Sequence, residues 1–199
     1  MLKSISNSER TTTMTRVRVL IAGVLVMTCV FTGAAVSQSG SMDKSKTLSV
    51  LPSGFGDAVD RDVAKVRDAT AKFKTTEAAE AAGYKGSGDC IEYQPAGAMG
   101  YHFQNKALLD TTLDLEHPEV LVYEKMPDGT FKLNGVEFLV PISAWTATEP
   151  PRVMGQALKK AERLGIWYLH VWTWEPSPSG LFADWNPNVK CQNAASMQH

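Results

Sequence analysis

The pattern is organised around Gly165–Cys191, which opens as a strand whose two faces are both large and apolar. With a period of two, Ile166, Tyr168, His170, Trp172 and Trp174 share one face, and Trp167, Leu169, Val171 and Thr173 share the other. A strand with large side chains on both faces belongs in the middle of a fold. Pro176, Pro178 and Gly180 then break the pattern, and the stretch ends at Cys191. Four of the five tryptophans lie within it, at 167, 172, 174 and 185.

The pattern upstream is helical first and strand-like later. Val59, Val63, Val66 and Phe73 recur at helical spacing, with Asp60, Arg61, Asp62, Lys65, Arg67 and Asp68 on the other face and Asp57 as the expected N-cap. A second short helix runs from Thr75 to Ala82 and stops at Gly83. These charges form a solvated face and carry no chemistry. Strand-like pieces follow at 89–93 and 99–104, then one helical turn within 105–110 and a loop at 113–118. Runs 119–125 and 130–140 flank Pro127-Asp128-Gly129 and predict a hairpin, with a bulge or a second tight turn at Asn134-Gly135. Val153 to Leu164 reads as a later helix, with Lys159, Lys160 and Arg163 in its last turns and Gly165 as its stop. The expected fold is α+β: a mainly antiparallel sheet with N-terminal helices and one later helix packed on it.

The first 37 residues read differently from the rest. Arg16 and Arg18 precede an apolar run from Val19 to Phe31 and then small residues to Ser37, the order of a secretory signal peptide. The run falls short of the roughly 20 residues that a membrane span needs. The expected organisation is a signal peptide at 1–37, a flexible Ser-, Gly- and Lys-rich leader at 38–56, and one globular domain at 57–199. Export to the periplasm or the extracellular space follows, with no stable membrane span after cleavage. Lys3, Arg10, Arg16 and Arg18 against Glu9 give the signal segment +3, so the remainder carries −4 where the whole chain carries −1. There is no basic stripe, so nucleic acid is not an expected partner. Cys29 leaves with the signal segment, and in an oxidising compartment Cys90 and Cys191 form the one disulfide available.

Several runs together resemble an uncharacterised family of exported bacterial proteins. They are 66–73 (VRDATAKF), 81–84 (AAGY), 97–105 (GAMGYHFQN), 118–124 (PEVLVYE), 135–141 (GVEFLVP), 169–174 (LHVWTW) and 179–191 (SGLFADWNPNVKC). The resemblance spans most of the chain after residue 37 and implies one intact domain of a recurring kind. It implies no activity. Ser177-Pro178 stands where the family pattern has Asn-Pro.

Two of the four histidines, His102 and His170, sit inside strand-like runs among aromatic residues; His117 and His199 do not. If their strands are neighbours, the two imidazoles and Glu137, a lone carboxylate in mid-strand, compose an open site for a divalent transition metal. Glu92 and Glu124 are alternative carboxylates, and Met99 is a soft ligand for copper. Alternatively the two histidines are hydrogen-bonded packing residues, or general acid–base groups. Tyr101, Tyr168, Trp172 and Trp174 are the expected lining of a small-molecule pocket, with core or subunit packing as the other use of such residues. Asp184 is expected to cap the tail turn. No G-x-S-x-G, Walker loop, G-x-G-x-x-G or H-E-x-x-H occurs. The leading reading is an exported domain binding a small molecule or a metal. A metal-dependent enzyme using the same cluster, and a structural or homo-oligomeric envelope protein, are the alternatives.

Overall fold

A computed structural model describes residues 52–191. The signal segment, the first part of the leader and His199 lie outside the described residues. Helix α1 (Asp57–Thr70) buries Val59, Val63, Val66 and Thr70, the stripe its spacing predicts. Its N-cap is Gly56 rather than Asp57, and no side chain caps it. Instead Asp57 and Asp60 sit in the first turn, where negative charge suits the helix dipole. The expected leader is already attached before residue 57. Ser53 donates its backbone N–H to Asp60 Oδ1 at 2.7 Å, and Phe55 packs edge-on against Phe182 at 4.9 Å. Helix α2 (Thr76–Ala81) is capped by the Thr75 hydroxyl and followed by Gly83 at φ 95°.

Eight strands follow: β1 (Lys85–Tyr93), β2 (Gly97–Gln104), β3 (Val120–Lys125), β4 (Phe131–Pro141), β5 (Arg152–Val153), β6 (Gln156–Ala157), β7 (Lys159–Ala161) and β8 (Ile166–Val171). Six form one antiparallel sheet in the order β1-β2-β3-β4-β8-β7, curved into a half-barrel. The β3–β4 hairpin forms as predicted. Its register slips between Val122–Gly135 and Tyr123–Leu133, which makes Asn134 the extra residue of a bulge. Gly135 is required there, because a Cβ would stand 2.5 Å from Val171 O on the neighbouring strand β8.

The later helix expected over 153–164 does not form. Met154 and Gly155 both adopt positive φ, 52° and 72°, and turn β5 into β6 as a two-residue hairpin. Lys159–Ala161 then pairs with β8, so the Lys- and Ala-rich run serves as an edge strand despite its helical propensity. Only Glu162–Leu164 makes a turn of 3₁₀ helix, stopped by Gly165 in the left-handed region.

Alternation along the strands sorts the core into two clusters. Leu121, Tyr123, Val136, Phe138, Leu169 and Val171 point toward the helices and pack with Val59, Val63 and Val66. Tyr84 and Tyr123 hydroxyls donate to Pro118 O and Phe73 O, tying the helical layer to the sheet. On the other face Ala98, Val120, Val122, Leu139, Trp172 and Val189 form a second cluster. Val189 comes from the C-terminal tail, which lies across one end of this face. Asn186 pairs with Ala98 as an isolated bridge, and a Cβ on Gly97 would collide with the backbone of Asn186 and Pro187.

The tail is held by Cys90–Cys191, whose Cα atoms are 5.6 Å apart, and by two carboxylates. Glu92 Oε2 accepts from Cys191 N and Glu124 Oε1 from Lys190 N. The bridged residues are 101 apart in sequence. Replacing both cysteines by serine is therefore expected to lower unfolding stability by about 4 to 5 kcal/mol in the chain-entropy account. Urea unfolding of the double variant beside the oxidised and reduced parent measures this. An unchanged midpoint would show that the tail's other contacts suffice.

Candidate functional site

The face opposite the helices is the concave side of the half-barrel, and it holds a cavity of about 1030 Å³. All six strands of the sheet except β7's first residues meet it: Ile91 of β1, Met99 and His102 of β2, Val120 of β3, Glu137 and Leu139 of β4, Ile166 and Tyr168 of β8, and Ala161 of β7 line its walls. Its size matches small-molecule sites, which run from about 300 to 1,000 Å³ and are mostly apolar with few polar groups. Beside the cavity, Val189 of the tail and Trp172 pack with Val120 and Leu139 on the same face, and Leu164 on the cavity's rim is 74% exposed.

Register explains how the polar residues meet. Glu137 pairs directly with Val120 on one side and His170 on the other, and His102 pairs with Val122. Directly paired residues share a face in an antiparallel sheet. His102, Glu137 and His170 therefore project together onto the concave side. His102 Nε2 stands 3.8 Å from Glu137 Oε2, and the two imidazole centroids are 5.7 Å apart. The expected convergence of both histidines with Glu137 is thus present. A metal-binding arrangement is not: among the described residues, no group of three His, Cys, Asp or Glu side chains could hold a metal ion. His102 and Glu137 face the cavity, whereas His170 is fully buried behind them with Trp172 at 4.6 Å and no hydrogen-bond partner on either ring nitrogen. The backbone bond expected of a packing histidine is absent there.

The other expected residues divide. Tyr168 lines the cavity, and its hydroxyl lies 3.4 Å from Asp184 Oδ2. Trp172 buries itself on the concave side, donating its Nε1–H to Ala183 O at 2.7 Å, but is outside the cavity wall. The regular strand ends at Val171, and Thr173 N turns back to Val171 O. Trp174 therefore leaves the shared face. Its indole donates to Thr70 Oγ1 and stacks under the Arg67 guanidinium at 4.4 Å, on the helical side. Tyr101 also lies on that side, packed edge-on against Phe131 at 5.4 Å. Asp184 pairs with Lys159 at 2.5 Å rather than capping the tail turn. Glu92 and Glu124 hold the tail, and Met99 lines the cavity.

Sequence reasoning missed the cavity's apolar wall, and it missed Glu119. That carboxylate is buried and accepts from Leu139 N at 3.0 Å. Alternation of Val120, Glu137 and Leu139 with residues of the helical core was the available signal.

Burial sets the charge state of the floor. It pushes the Glu137 carboxyl up to about 8, with Asp184 and Glu119 adding repulsion and Lys159 opposing them. Burial pushes Glu119 up to about 7 and His102 down to about 4, and holds His170 well below the ordinary imidazole value. At neutral pH the floor therefore presents a protonated carboxyl and neutral imidazoles. In comparison with protein-family models, curated proteins and solved structures, nothing matches this chain.

These shifts fix a direction for stability. Up to about pH 8 the folded protein holds a proton on Glu137 that the unfolded chain has released, so raising the pH removes stability. The histidines act oppositely, but only below about pH 6.5, where an unfolded imidazole gains the proton that the folded one refuses. Between pH 6.5 and 8 the carboxyls decide, and Glu137 is expected to remove about 2 kcal/mol. Denaturant unfolding across that range measures the slope, and Glu137→Gln should flatten it above pH 7. An equal slope in that variant would place the titrating group elsewhere.

Proposed function

We propose that this protein is an exported domain that binds a mainly apolar small molecule on the concave face of its half-barrel. The observation that carries the reading is the cavity itself: apolar walls enclosing a floor of His102 and Glu137, uncharged and 3.8 Å apart. That separation is too long for a direct hydrogen bond. Export is supported by the disulfide. Membership of the exported bacterial family named above belongs to the same proposal.

The neutral dye N-phenyl-1-naphthylamine brightens in apolar sites and tests the reading directly. Saturable enhancement is expected, and Ala161→Trp, which fills the wall beside Ile166, should weaken it at least about tenfold, or about 1.4 kcal/mol. No enhancement with the intact protein sinks the proposal. Elemental analysis of the purified protein is the second measurement. The reading expects no stoichiometric metal, so metal lost on both His102→Ala and His170→Ala would replace it with a metal centre.

A further inference from the structure

The polar groups around the cavity are not evenly distributed. Lys85 of β1 and Lys106, just beyond β2, line the same side of the opening, with Gln104 between them. Both lysines are exposed, and neither forms an ion pair among the described residues. Lys159 is matched with Asp184 and Lys160 with Glu162. The acidic groups are gathered elsewhere, with Glu137 on the floor, Asp184 against Tyr168, and Glu119 buried beside Leu139. The site is thus cationic along its β1–β2 edge and uncharged at its floor, with an apolar span between.

From the unpaired lysines at the β1–β2 edge and the apolar wall of Val120, Leu139 and Ile166, we infer that the ligand is an aliphatic chain with one anionic headgroup, held head-outward at Lys85 and Lys106. This inference rests on the cavity being a binding site. The span from β1 to β8 is four strand spacings, roughly 19 Å at about 4.8 Å each, which accommodates an extended alkyl chain. An anion seated the other way would be buried against the uncharged floor, where Lys159 is already engaged with Asp184, so the cost of desolvating it as well as attraction to the lysines sets the orientation. A carboxylate and a phosphate monoester share this chemistry. Charge-assisted bonds to ammonium groups at a partly exposed edge favour either.

Displacement of N-phenyl-1-naphthylamine by four twelve-carbon compounds tests the inference: dodecanoate, dodecyl phosphate, dodecanol and dodecylamine. Either anion should displace the dye at least about tenfold more effectively than dodecanol, and dodecylamine should be the weakest. The double variant Lys85→Ala, Lys106→Ala, both at exposed positions, should bring the anions to the level of dodecanol when each competitor is referred to the variant's own dye affinity. A larger loss for dodecanoate than for the phosphate, or the reverse, identifies the headgroup. If the dye binds but the anions compete no better than dodecanol, or the lysine variant leaves them unaffected, the inference fails while the cavity reading stands. If neither dye nor any chain binds, the cavity reading fails first.

Discussion

A six-stranded antiparallel sheet curved into a half-barrel has one concave face to cover and no closing pair of strands, since β1 and β7 lie at opposite edges. What determines this molecule is how that face is closed. One end is closed by the tail, which the Cys90–Cys191 bridge, the Glu92 and Glu124 carboxylates and the Ala98–Asn186 bridge hold across the sheet. The other end stays open. Had the tail been free, Val189 would leave Ala98, Val122 and Trp172 without cover, and that end of the concave face would be an exposed hydrophobic patch. The disulfide therefore keeps in place the segment that covers the part of this face beside the cavity.

The same closure explains the chemistry of the floor. Glu137 is paired with Val120 and His170 in mid-sheet, so its carboxyl has no route to bulk water except through the cavity. Ionising it there is costly, and Lys159, the cation acting on it among the described residues, is already engaged with Asp184. The carboxyl consequently stays protonated, and His102 beside it stays neutral. A site of this kind discriminates against charge at its centre and accepts it at its rim. The rim is where Lys85 and Lys106 stand.

The sequence made the strands legible where side chains alternate between two distinct environments. The hairpin of β3 and β4, the bulge at Asn134, and the two-faced β8 all declare themselves in this way. Even the meeting of His102, Glu137 and His170 was anticipated, because all three stand in strands with aromatic or aliphatic neighbours. The alternation failed as a guide at the end of β8. Periodicity continues through Trp174 in the sequence, but the backbone turns after Val171, and hydrogen bonds with Thr70 and Arg67 carry that segment to the helical side. It failed again at 153–164. There the pattern Val153, Met154, Leu158 fits a helix, yet Gly155 beside a positive-φ Met154 makes a turn, and pairing with β8 overrides local propensity. Tyr101 was misplaced for another reason: neighbouring strand residues face opposite ways, and only the register shows that His102 takes the concave side and Tyr101 the other.

His170 sharpens the functional argument. A fully buried imidazole with neither nitrogen bonded carries a desolvation cost of about 1 to 3 kcal/mol for each unpaired group, and an apolar residue of similar volume would carry none. Departures of this kind, where a sequence violates a local rule without a compensating contact, concentrate at functional sites. Here the departure stands directly across the ladder from Glu137, in the row of side chains that forms the cavity floor. Its neighbours Trp172 and His102 hold the ring from both sides, at 4.6 and 5.7 Å between centroids. Placed so, His170 packs edge-on against the His102 ring and does not itself line the cavity. Stability is given up at the row of residues that the proposed ligand would touch or rest upon, while the helical face of the same sheet is packed almost entirely with apolar side chains.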